Sequence, residues 1–161
     1  MVYRADTLIM PALEKLHACF CAELTASGLD VKCECVMLPG IGDVAAEPAP
    51  GTGFAWVGVT GVAPYSSFPV PDLTLANSAR PLVATVVIGV IRCIEVSRNG
   101  PTSTEQALSL DKQMADMAAM RRAVICCTDD SRDMVLGTYQ PIGPEGGIYG
   151  GFWDVHIGQP L

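Results

Sequence analysis

The chain has 161 residues, of which 50% are hydrophobic and only 17% charged, with a formal net charge of −7. That length suits one domain with a real core, and the Val, Ile and Leu content excludes a disordered chain. Ten basic residues against seventeen acidic ones exclude phosphate clamping as the main activity, since nucleic-acid binders carry a basic stripe.

Mean hydropathy is +0.34, high enough that a membrane protein must be considered. The longest nearly apolar run is Leu82 to Ile91, broken by Thr85 and ended by Arg92. It is about half the roughly 20 residues a spanning helix needs. Arg4, Asp6, Pro11 and Glu14 interrupt the N-terminus, so it lacks the basic start and apolar core of a signal peptide. The expectation is a soluble protein with more apolar surface than one small core hides. Subunit interfaces are where such an excess is placed, because the centre of a homo-oligomer interface resembles a domain interior.

The periodicity predicts a first helix over 7–27. Leu8, Ala12, Leu13, Leu16, Phe20 and Leu24 make one stripe, Pro11 falls in the first turn and Gly28 stops it. Alternation from Val31 to Met37 predicts a strand over 30–38. Residues 39–53, with three prolines and four glycines, read as a loop. A second strand is expected over 54–62, carrying Phe54 and Trp56. A Pro-rich stretch, 64–81, holds Tyr65 and Phe68, and a connection of that length in a compact domain is functional or an interaction arm.

Residues 82–97 are the most strand-like segment. They are apolar on both faces up to Ile91, which requires cover on both faces. Sixteen extended residues would reach about 50 Å, so Gly89 bends the strand or part of it projects toward a neighbour. After Asn99-Gly100-Pro101, Thr102 and Glu105 form a capping box opening a helix over 103–127. Its expected stripe is Ala107, Leu110, Met114, Met117, Arg121 and Val124. An acidic loop, Asp129 to Asp133, precedes short strands near 134–142 and 151–158, joined by the glycine-rich segment 143–151. The order is α-β-β-β-α-β, counting the last two strands as one hairpin unit. The expected fold is α+β: a single domain over 1–161 with one antiparallel (mixed) sheet and two main helices on one face.

The search for chemistry returns little. There is no nucleophile elbow, zinc-protease motif or Walker loop. Gly51-Thr52-Gly53 precedes a strand instead of a helix, so a dinucleotide site fails. The acidic loop has Met134 and Gln140 where a calcium loop needs Gly and Glu. The seven cysteines, Cys19, Cys21, Cys33, Cys35, Cys93, Cys126 and Cys127, read as reduced thiols acting as small core residues. A Cys21–His17 pair at helical spacing is the one thiolate candidate, and no third group orients it. His156 falls in a terminal strand. No catalytic, cofactor or metal residue is assigned.

Several elements together carry a family likeness. They are the Trp56 strand, the arm with Phe68-Pro69, the strand ending Ile91-Arg92-Cys93, the helix ending Cys126-Cys127, and Gly143-Pro144-Glu145-Gly146-Gly147 followed by Gly150-Gly151-Phe152-Trp153. In these the chain resembles head-to-tail connector proteins of actinobacterial siphophages, most of all the tail-terminator class. The resemblance implies a virion structural protein without catalytic residues or cofactors. It implies a homo-oligomeric ring of six that caps the major tail tube protein and offers a docking surface to the head-to-tail stopper. It also implies residence at the neck, after assembly in the host cytoplasm. DNA would pass the lumen without specific binding, and an acidic lining would repel its phosphates. The alternatives are another neck ring, the stopper itself, and more remotely a small cytosolic cysteine-dependent enzyme. In a ring, Phe54, Trp56, Tyr65, Phe68, Ile148, Tyr149 and Trp153 are the candidate interface anchors, because aromatics are enriched at hot spots.

Overall fold

The computed structural model describes residues 9–28, 31–39, 53–74, 81–94, 100–127, 134–145 and 147–158, excepting the side chains of 31–39, Cys127 and Glu145. Two helices, α1 (Met10–Ala26) and α2 (Ser103–Cys127), accompany strands β1 (Val31–Pro39), β2 (Gly53–Ser67), β3 (Val70–Pro71), β4 (Leu82–Cys93), β5 (Met134–Glu145) and β6 (Ile148–Gly158). The fold is α+β. Its main sheet has the order β1-β2-β4-β6-β5, with the two-residue β3 attached to β2 beside that path. β1 runs parallel to β2 and the other pairs are antiparallel. Most of the loop expected at 39–53 lies outside the described residues, but Pro39 and Gly53 are strand residues.

α1 forms where the apolar spacing places it. Pro11 sits in its first turn, and Ala12, Leu13, Leu16, Phe20 and Leu24 are buried. Gly28 follows with φ +63°, a left-handed conformation that glycine adopts without a Cβ penalty. Side chains alternate across each strand, so β4 sends Ala84, Val86, Ile88 and Val90 toward the helices. Ala55 and Val57 of β2, and Val155 and Ile157 of β6, join them, closing one core with Leu16, Phe20, Met120 and Ala123. Burying a side chain such as Phe20 or Leu16 contributes about 1.5–3 kcal/mol.

Neither described helix packs on the opposite face of the sheet. Trp56, Val87 and Ile91 form a second cluster there, flanked by half-buried Phe54, Ile142, Ile148 and Phe152. Phe54 and Trp56 stack with ring centroids 6.3 Å apart. The Trp56 ring lies flat on Gly89, where a Cβ would come within 2.3 Å of it. Gly89 therefore makes room for an aromatic ring within a ladder whose register is uninterrupted there.

β4 ends at Cys93, short of the expected 97, and the Ile94 amide bonds the Gly147 carbonyl at 2.7 Å, one step further along the β4–β6 register. β2 runs longer than expected, to Ser67, so the first part of the expected arm is strand. Past Val59 it has outrun β1, and from Tyr65 to Ser67 it pairs with β3 instead.

The α2 boundaries and cap match the sequence. The Thr102 N–H donates to Glu105 Oε2 at 2.6 Å, and the Glu105 N–H donates to Thr102 Oγ1 at 3.3 Å. The backbone bond from Thr102, followed by its hydroxyl, holds the Glu105 pKa below its ordinary value. Above the unfolded carboxylate range the cap is therefore intact, and it is lost as pH falls through the lowered folded value. Amide exchange at Thr102 and Glu105, followed from pH 6 to pH 2, is expected to lose protection only in that acidic window. Loss of protection already near pH 6 would contradict the reciprocal cap.

The cysteine expectation is corrected. Cys19 and Cys21 are each disulfide-bonded, with partners outside the described side chains, while Cys93 and Cys126 are thiols. Connectivity of this kind is not legible from cysteine spacing alone. In denaturant before reduction, Cys93 and Cys126 should react with a thiol reagent and Cys19 and Cys21 should not, and all seven cysteines should react after it. Seven reactive thiols before reduction would contradict the bridges.

Candidate functional site

The buried stripe of α2 is rotated from the expected one. The buried residues of the helix are Asp116, Ala119, Met120, Ala123 and Val124, with Ser109, Gln113 and Met117 half-buried. Leu110 and Met114, which were expected to pack inward, are 54% and 39% exposed, and Leu108 is 56% exposed. Arg121, on the same expected stripe, also faces outward.

The physical cause is an ion pair. Arg92 Nε donates to Asp116 Oδ2 at 2.7 Å and Arg92 Nη2 to Oδ1 at 2.8 Å, a bidentate fork between β4 and α2. Arg92 and Asp116 are the buried charged residues among the described ones. A fork of this kind fixes both distance and rotation, because both N–H bonds must lie in the carboxylate plane. It turns Asp116 inward with Ala119, Met120, Ala123 and Val124, and leaves Leu110 and Met114 on one exposed flank of the helix and Leu108 on the other.

Around the fork lies a small polar network. The Gln113 side-chain amide donates to the Gly150 carbonyl. Gly150 has φ +155°, and a Cβ there would strike the Val90 carbonyl. Burial raises the Tyr149 phenol above its usual pKa, against the opposing pull of the Arg92 charge. Burial likewise raises Tyr139, partly offset by the Gln113 amide and reinforced by the Asp116 carboxylate. Outside the network, the N-terminal half of α2 and the β5–β6 hairpin frame an open cleft of about 360 Å³. Leu110, Pro141, Ile142 and Pro144 line it together with Gln106 and Tyr149, and no lining residue is charged.

At the other end of the sheet, β2 continues into a hairpin with β3, and residues 60–74 form an arm. Tyr65 and Phe68 meet edge to face at 5.6 Å. Asp72 ties the arm together: its N–H donates to the Pro64 carbonyl at 2.8 Å, and its carboxylate accepts from Ser66 Oγ at 3.1 Å and Thr74 Oγ1 at 2.6 Å. The arm is thus fixed internally while Val62, Val70 and Leu73 remain exposed.

The seven expected anchors separate into three places. Phe54, Trp56 and Ile148 lie on the helix-free face of the sheet, with Trp56 itself buried. Tyr65 and Phe68 brace the arm, and Tyr65 is buried. Tyr149 and Trp153 lie beneath α2, where Trp153 Nε1 donates to the Met117 carbonyl at 3.3 Å. The glycine-rich hairpin therefore does not display Tyr149 at its tip. Sequence reasoning missed Leu73, Val70, Leu108 and Leu110 as surface residues. The available signal was Asp116, a carboxylate four residues before Met120 on a helix otherwise rich in alanine.

The other expected chemistry can also be placed. Cys21 Sγ lies 4.0 Å from His17 Nε2, but its sulfur is engaged in a disulfide and supplies no thiolate. The acidic loop 129–133 lies outside the described residues. Among the described residues, no group of three or more His, Cys, Asp or Glu is placed to hold a metal. No described helix is long and apolar enough to cross a membrane. In comparisons with known proteins, the chain matches no family model and no curated protein.

Proposed function

We propose that the chain is a structural ring subunit of a tailed-phage neck, of the tail-terminator type. In this reading a ring of identical copies, six by the resemblance, caps the tail tube protein and presents its other side to the stopper. The protein performs no catalysis and binds no cofactor, and the DNA passes through the lumen. The observation that carries the reading is the set of large apolar side chains left exposed on α2. α2 packs Met120 and Val124 into the core yet leaves Leu108, Leu110 and Met114 exposed, large apolar side chains that a partner would cover. The half-buried aromatics on the helix-free sheet face add a second such surface. The disulfides at Cys19 and Cys21 also suit a protein that functions in a particle outside the cell, where bridges persist.

An antibody against this chain, applied to purified virions that encode it, tests the reading. Label confined to the head–tail junction is the expected result. Virions carrying no label, with the protein recovered only from the infected cell, would overturn it.

A further inference from the structure

We propose that the arm of one copy, residues 60–74, docks into the α2–hairpin cleft of the next copy, with Leu73 and Val70 entering beside Leu110. The proposal rests on the self-assembly just described and assigns its contact.

The first ground is placement. Pro64 pairs with Leu82 at the start of β4, whereas Cys93 at its end pairs with Ile148 beside the cleft. The twelve residues of β4 separate these ends by about 36 Å. A chain cannot fold its own arm into its own cleft across that span, but a neighbour's arm meets no such limit. A contact between two different patches of identical copies is heterologous, and it generates a ring when the rotation closes.

The second ground is charge. Copies of a chain with net charge −7 repel unless their contact is free of like charge. The cleft lining carries no charged residue, and the single charge of the arm, Asp72, is satisfied within the arm by Ser66 and Thr74. Docking therefore sets no like charges against each other, and the Asp72 carboxylate keeps its hydroxyl donors.

The third ground is preorganisation. Leu73 is 85% exposed and Val70 64%, on a hairpin already held by its own hydrogen bonds, so docking orders little further chain. Fifteen arm residues against a cleft lined by ten are fewer than the roughly 20–30 per side of a stand-alone interface. One contact is therefore weak, and a closed ring, in which each copy makes two, is what holds.

A photo-crosslinking residue, p-benzoyl-phenylalanine, placed at position 73 of the full chain tests this. After irradiation, peptide mapping is expected to show intermolecular links to 106–114 or 141–149. Leu110→Asp in the receiving copy should reduce them at least ten-fold without shifting its thermal midpoint, because residue 110 is exposed. If native mass shows oligomers but the links fall on other arms or on the helix-free sheet face, the docking is overturned and the ring reading stands. Monomers at every concentration with no intermolecular link would overturn both.

Discussion

Asp116→Ala is expected to lower the unfolding free energy by roughly 3–5 kcal/mol, measured from denaturant midpoints at constant slope. The cost arises because the Arg92 guanidinium stays buried after its carboxylate is gone, with its side chain only 5% exposed. Removing both charges is a different matter. An Arg92→Met, Asp116→Leu double variant should recover most of the loss, since an apolar pair of similar volume needs no desolvation of ions. The informative readout is rotational. With the fork gone, Leu110 and Met114 are free to turn inward, so amide exchange along α2 should change its pattern even where stability returns. A single-variant cost below about 1 kcal/mol would mean that the pair is solvated and does not set the helix orientation.

Gly89→Val is expected to be nearly as damaging. A Cβ at this position overlaps the Trp56 ring at 2.3 Å, and the ring is a rigid bicycle held between Phe54 and the sheet, so it cannot swing away cheaply. Overpacking of this kind costs about 3 kcal/mol. The same steric argument makes the pair non-additive. Trp56→Leu alone opens a cavity, but combined with Gly89→Val it relieves the clash, so the double variant should lose less than the two singles added together. Strict additivity would show that ring and glycine are not in contact.

The local signals in the sequence were strong where structure depends on neighbours along the chain. Leu13, Leu16, Phe20 and Leu24 marked α1, and Thr102 with Glu105 marked the start of α2, because helix spacing and capping are local. The α+β class followed from the same patterns. The rotation of α2 was not legible, because it is set by Arg92, twenty-four residues away in sequence. Apolar periodicity alone pointed to Leu110 and Met114, and a single buried ion pair overrode it.

Long-range pairing was hidden for a similar reason. Nothing in Val31 to Pro39 distinguishes a parallel neighbour from an antiparallel one. The candidate site was half visible. The arm was expected from its prolines, with Tyr65 and Phe68 as contacts. In the fold those rings brace the arm from within, and Val70 and Leu73 take the outside. The cleft was not visible at all, since its walls come from α2, the β5–β6 hairpin and Ile94, brought together only by the sheet order.

The central claim is that the apolar surface left over by folding is covered by further copies of the same chain. Native mass measurement of the purified full-length protein from micromolar to millimolar concentration tests this most directly. The account predicts one closed species of fixed copy number growing in at the expense of monomer, and its loss when Leu73 or Leu110 is changed to Asp. A monomer unchanged across the whole range would contradict it.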